Sequence, residues 1–194
     1  MLRLLVSAVR AMLLATLRRL RHGPSAPTWS WSLELLVAGY RDGLRASRHM
    51  EPARFRALAV APPSRIAAVS SEAVELGGVP ALRLRPAAGA PARSVLYVHG
   101  GGWVVESPQT HLDLTASLCA DGEACVWSLD YRLAPEHPFP AAPDDVRTAY
   151  RALLDQGVDP SQLVVAGDSA GGTLALGLLV QLRERGCLCR RRRS

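Results

Sequence analysis

The sequence predicts an α/β fold: a mostly parallel sheet with helices on both faces, preceded by a helical segment. Three observations predict it. A hairpin pattern with a Gly77-Gly78 turn spans residues 69–85, and strand and helix signals alternate from residue 94 to residue 184. The third is the last strand signal, Gln162–Ala166, which stops at Gly167-Asp168-Ser169-Ala170-Gly171 before a long apolar run. Strands that alternate with helices pair in parallel and need cover on both faces.

The first helix covers residues 2–21. Arg3, Ser7, Arg10, Arg18 and Arg21 fall roughly on one face, with Leu, Val, Ala and Met filling most of the rest. Arg10 interrupts the apolar run, so neither a signal-peptide core nor a membrane span fits. Three readings stay open: a packing helix, an interfacial helix giving peripheral membrane contact, and an organelle presequence.

His22-Gly23-Pro24 stops that helix, and a second runs from Ser32 to about His49 with Leu33, Leu36, Val37, Tyr40 and Leu44 at apolar spacing. Residues 52–63 read as loop and short turns. The hairpin strands are Val69–Leu76 and Val79–Arg85, and residues 86–91 form a turn-rich linker. A buried strand at Ser94–Val98, a helix at Thr110–Ala120 and a strand at Ala124–Leu129 follow. After a Pro-rich loop, a helix carries Pro143 near its first turn and Asp144-Asp145 at its positive end. The helix after Ser169 is apolar nearly all round and asks for burial on every side.

The length of 194 residues suffices for one domain with a real core, and 48% apolar residues fit a soluble chain. The net charge of +6 comes from the ends: outside Arg190–Arg193 and the five arginines before Glu34, 14 arginines face all 17 acids. That slightly acidic body has no basic stripe with interleaved aromatics, which excludes nucleic-acid binding as the expected role. There is no Lys, no Asn and one Ile, as a coding sequence rich in G and C would give. Cys119, Cys125, Cys187 and Cys189 lack zinc-site spacing, so they are expected as plain thiols in a reducing, cytoplasmic setting with no metal.

Two motifs carry the chemistry. In the first, a strand running through Gly167-Asp168-Ser169-Ala170-Gly171 into a helix sets Ser169 at the tip of a sharp turn, its Oγ exposed near the helix N-terminus. In the second, His99-Gly100-Gly101-Gly102-Trp103 follows directly on a buried strand. Three consecutive glycines are costly in chain entropy, and they make sense where bare N–H groups must point at an oxyanion.

These two motifs, with the run from Asp130 to Asp145 (DYRLAPEHPFPAAPDD), resemble the hormone-sensitive-lipase-like esterase and lipase branch of the α/β-hydrolases. The resemblance is strong over residues 69–186 and extends to the N-terminal helices, which form part of a cap in that family. It implies an α/β-hydrolase fold and a serine hydrolase of small-molecule acyl esters, with no cofactor. Ser169 matches the catalytic nucleophile, and Gly101, Gly102 and Ala170 match the oxyanion-hole donors. His99, Gly100 and Asp130 match the support of the oxyanion loop, Tyr131 and Arg132 belong to the same bracing segment, and Asp168 marks the branch. The domains expected are a cap-like segment at 1–64, a partial hydrolase domain at 65–186 and an aberrant basic tail at 187–194.

The base is the difficulty. In this fold acid and histidine follow the nucleophile, yet after Ser169 the sequence offers one acid, Glu184, deep in a helix, and no histidine. His22, His49, His111 and His137 are expected in surface or packing roles. The expectation is therefore a C-terminally truncated hydrolase with its last strands missing and with little or no turnover. The alternative is a non-catalytic ligand-binding module of the same fold.

Overall fold

The computed structural model describes residues 2–47, 50–58, 69–87 and 89–184. The expected end of the second helix at His49, the turns after residue 58, residues 65–68 and the 187–194 tail with Cys187 and Cys189 lie outside the described residues. Two compact units divide at Phe55 and Arg56.

The first unit holds α1 (Leu2–His22), α2 (Trp31–Ser47) and the start of α3 (Pro52–Leu58). Helices α1 and α2 pair closely: a Cβ on Gly39 would lie 2.9 Å from Met12 Cε. Their junction is tied by Glu34, which is buried and takes the Arg19 guanidinium at 2.9 Å and the Ser25 backbone N–H. The Ser25 hydrogen bond, helped by Arg19, holds the Glu34 carboxyl down at about 2. Helix α3 falls in the stretch read as turns. Its seven residues begin at Pro52, which fits the first turn, and are too few to show a helical period.

The second unit carries the sheet, in the order β1-β2-β4-β3-β5. Strands β1 (Val69–Leu76) and β2 (Val79–Pro86) form the antiparallel hairpin, and β2 pairs antiparallel with β4 (Ala124–Leu129). Strand β3 (Arg93–Val98) is central to the parallel part, flanked by β4 and β5 (Leu163–Gly167). Helix α4 (Leu112–Asp121) covers one face, and α5 (Ala141–Asp155) and α6 (Ser169–Glu184) cover the other.

Alternation along each strand explains the two cores. Leu96 and Val98 join Trp127, Val146, Leu153 and Leu178 under α5 and α6. Between them Tyr97 points the other way, to Val126, Ala116 and Cys119 under α4. Every residue of β4 is buried. Strand β5 pairs only with β3 among the described residues, and Val164 is 53% exposed. Helix α6 buries Leu174, Leu178 and Leu182 but leaves Leu176 and Val180 exposed, so burial does not surround it here.

This architecture sets the two motifs side by side. Val98, the last residue of β3, is in register with Gly167, the last of β5. The loop that leaves β3 and the turn that leaves β5 therefore start at neighbouring strand ends, on the side where ligands meet open α/β sheets.

Candidate functional site

Ser169 opens α6 with a φ of 49° and is exposed. A left-handed backbone is uncommon for any residue with a Cβ, and here it lifts the side chain out of the strand-to-helix turn. The turn is pressed against the end of β3. A Cβ on Gly167 would lie 2.6 Å from the Val98 carbonyl oxygen, and one on Gly171 would overlap the Val98 and His99 carbonyls. Only glycine permits this approach. Ala170 is buried in the first turn of α6, where N–H groups have no intrahelical acceptor.

The glycine loop rises beside it. Gly101 takes a φ of 92° and Gly102 one of 63°. The Gly101 carbonyl accepts from the N–H groups of Val104 and Val105, at 3.2 and 3.0 Å. Among the described residues neither the Gly101 nor the Gly102 N–H has an acceptor. Two free donors in a rigid loop beside an exposed hydroxyl form the kind of pre-set arrangement that stabilises a developing negative charge.

What holds the loop rigid is only partly what the sequence suggested. His99 is fully buried, stacks on Tyr131 at 4.4 Å between ring centroids, and meets the Gly100 carbonyl through Nδ1 at 2.9 Å. A carbonyl can only accept, so Nδ1 carries the proton and Nε2 is left as a buried lone pair without a partner among the described residues. Burial pushes His99 down to about 4, against the Gly100 hydrogen bond that works to raise it. Tyr131 donates its hydroxyl to the carbonyls of His99 (2.9 Å) and Gly100 (3.2 Å).

Asp130, expected as loop support, makes no side-chain hydrogen bond among the described residues. Its backbone N–H goes to the Pro80 carbonyl at 2.9 Å, and desolvation raises its carboxyl. The loop contact passes to the next residue, because neighbours at a strand end point to opposite sides.

The carboxylate that does reach the loop is Asp168. Its Oδ1 accepts from the Gly100 N–H at 2.9 Å and from the Tyr97 hydroxyl at 2.8 Å, and lies 3.4 Å from Nε2 of His111. Gly100 is bare because Asp168 occupies the space a Cβ would need. His111 is held in turn by Thr110 Oγ1 at 3.0 Å. Sequence reading gave Asp168 no contact and placed His111 in a packing or surface role. The Tyr97–Asp168 hydrogen bond joins residues 71 positions apart, and only the Val98–Gly167 register discloses it.

The far side of the loop is fastened by Arg56. Its Nε donates to the Val104 carbonyl at 2.6 Å, and Nη2 donates to the Ala134 carbonyl at 2.7 Å. The same guanidinium grips Glu136 with two 2.9 Å hydrogen bonds, which hold that carboxyl down at about 2. Arg132 clamps the buried Asp145 through its backbone N–H (2.8 Å) and its guanidinium, fixing the Pro-rich loop to α5. Between this loop and α6 lies an apolar groove of about 550 Å³ lined by Gly102, Trp103, Phe139, Leu174 and Leu178. A hollow of about 780 Å³ beside Arg93 and Glu123 sits at the opposite end of β3, away from Ser169.

Among the described residues Ser169 Oγ has no hydrogen-bond partner, so no histidine engages it there. No group of His, Cys, Asp and Glu among the described residues is arranged to hold a metal.

With this geometry, sequence and structure comparisons converge. Residues 95–191 match the family model described as the alpha/beta hydrolase fold. The chain belongs to that family, in its hormone-sensitive-lipase-like esterase branch. An acetyl-hydrolase of Streptomyces hygroscopicus is 44% identical over 115 residues, which are 59% of this chain and 38% of that protein. The carboxylic ester hydrolase LipN of Mycobacterium tuberculosis is 41% identical over 104 residues, 51% of this chain and 28% of LipN. Among solved alpha/beta hydrolases, a hormone-sensitive lipase from a metagenome library is 43% identical with a TM-score of 0.65, covering 74% of this chain and 50% of that one. A crystal of EstE5 soaked with p-nitrophenyl butyrate aligns over 93% of this chain and 53% of its own, at 32% identity and a TM-score of 0.67. The chain thus spans about half the length of these solved relatives and under two fifths of the curated ones.

Proposed function

We propose that these 194 residues form the nucleophile and oxyanion part of a serine carboxylic ester hydrolase acting on small acyl esters. The observation that carries this reading is Ser169 at a φ of 49°, set beside a loop whose Gly101 and Gly102 N–H groups are free among the described residues. In the reaction, Ser169 Oγ attacks the ester carbonyl. The carbonyl oxygen becomes an oxyanion that accepts from the N–H groups of Gly101, Gly102 and Ala170. The alcohol leaves, and water then cleaves the acyl-serine to release the acid. The groove along Trp103, Phe139 and Leu178 offers apolar surface for the acyl chain.

Removal of the Ser169 proton needs a base that the described residues do not place. His99 and His111 are committed to Gly100, Ser107, Thr110 and Asp168. Turnover by this chain is therefore expected to fall short of a complete triad by on the order of several powers of ten. The test is p-nitrophenyl butyrate hydrolysis by the chain and by Ser169→Ala. Slow release that Ser169→Ala removes supports the assignment, whereas equal rates would overturn it. Family-like rates that Ser169→Ala removes would overturn the missing base.

The free Ser169 Oγ also favours a second reading, a ligand-binding module of the same fold. Saturable, Ser169-independent binding of an ester analogue without any turnover would select it.

A further inference from the structure

Helix α1 turns the wrong side to its partner. At helical spacing Ala8, Ala11 and Ala15 share one side and are half-buried, as the side packed on α2 must be. The opposite side carries Leu5, Val9, Leu13 and Leu20, with Val6 and Leu17 flanking, and all six are exposed. Leu5 is 64% exposed, Leu13 59% and Leu20 69%, so the large apolar residues face outward and the small ones inward.

The charge that α1 itself carries has one sign, although Arg10 shares a hollow with Arg41, Asp42 and Arg45 of α2. Helix α1 contains no acid, and its end carries Arg19, Arg21 and His22. Arg18 and Arg19 are engaged by Glu34, while Arg10 and Arg21 form no ion pair among the described residues. Arg10 stands at one border of the apolar side, one helical turn from Val6 and two from Leu17. No helix among the described residues is long and apolar enough to cross a membrane. An outward apolar face bordered by unpaired cations, on a helix too polar to span, matches a helix lying in the plane of a bilayer.

We propose that α1 docks on an anionic lipid surface, with Leu5, Val9, Leu13 and Leu20 among the acyl chains and Arg10 and Arg21 at headgroup depth. The charge complementarity selects the anionic surface. Guanidinium groups at the border gain from acidic headgroups, and the gain is screened by salt.

The test sediments the full chain with vesicles of phosphatidylcholine, with and without phosphatidylglycerol, at low and high salt. The expected result is binding that requires phosphatidylglycerol and weakens with salt. Leu13→Glu/Leu17→Glu should lower the partition coefficient at least about tenfold. Arg10→Glu/Arg21→Glu should remove the preference for phosphatidylglycerol. Circular dichroism checks helix content, and Leu13→Gln/Leu17→Gln is read by the same criterion if the glutamate pair unfolds. No sedimentation with either vesicle would overturn the proposal, as would binding that the leucine variants leave unchanged. A dimer seen by gel filtration and abolished by the leucine variants would assign the face to a second copy and overturn it as well.

Discussion

Where β3 and β5 end, polar groups are drawn inward: His99 is fully buried, and the half-exposed Asp168 gathers an N–H and a tyrosine hydroxyl around one oxygen. Along α1 the apolar groups lie outside, with Leu5, Leu13 and Leu20 facing away from α2. Both regions depart from the ordinary pattern of apolar inside and polar outside, in opposite senses. The difference teaches what each is shaped to meet. Polar groups tied by hydrogen bonds, as Asp168, Tyr97, Gly100 and Tyr131 are, form a rigid frame, the requirement for positioning atoms that react. Unpartnered apolar area gives no precision and instead supplies a surface that gains by being covered.

The sharpest way to break the comparison is to spoil the close approach at the strand ends. Gly171→Ala places a methyl against the Val98 and His99 carbonyls, which are backbone atoms and cannot step aside. The expected cost is about 3 kcal/mol, read as a drop in Tm of about 6–12 °C by calorimetry. An unchanged Tm would mean that the corner is not rigid. Leu13→Glu on α1, by contrast, should leave Tm nearly unchanged, because it removes no buried contact.

Next in size is the carboxylate. Asp168→Ala strands the Gly100 N–H and the hydroxyl of Tyr97, for about 1–3 kcal/mol in urea unfolding. Asp168→Asn keeps one oxygen acceptor and should lose less. If the two variants unfold alike, the hydrogen bonds to Gly100 and Tyr97 contribute nothing.

The smallest effect separates the regions by pH. His99 is held at about 4 against an ordinary 6.5, so the unfolded chain binds the extra proton between these values. That part of the stability is complete above about pH 6.5 and is lost as pH falls toward 4. Glu34, held at about 2 against 4.5, loses its contribution only as pH falls below about 4.5. Thermal scans of the chain and of His99→Gln should converge toward pH 4, with the histidine-dependent part of Tm confined to the upper window. A constant offset from pH 7 to pH 4 would contradict a neutral buried His99.

Most of the element order was legible in the sequence, because each element carries its own period. Of the α5 face that the spacing predicts, Val146, Ala149, Tyr150 and Leu153 are buried and Leu154 is half-buried, and the Gly77-Gly78 turn joins the strands it separates. Helix α3 escaped because seven residues give no period to read. At the site, Ser169, Gly101 and Gly102 were legible as motifs because their neighbours along the chain define them. Asp168, Tyr97 and His111 act on the loop through contacts that cross from β5 to β3 and α4, and no local pattern announces a contact of that kind. Arg56 is the extreme case: a residue in an unread helix fastens carbonyls 48 and 78 positions away. Its identity carries no signal in a chain where arginine is the only strong cation.

The φ of 49° at Ser169 has a consequence for how this position can vary. A backbone in that region tolerates a single heavy atom on Cβ far better than two, since a second branch crowds the preceding turn. The elbow thus acts as a filter on vocabulary. Cysteine and alanine pass with the fold intact, and threonine, the nearest chemical synonym of serine, does not. A change at this site that keeps a reactive group must therefore go to a side chain unbranched at Cβ, such as cysteine, because the branched alcohol is excluded before its reactivity comes into play.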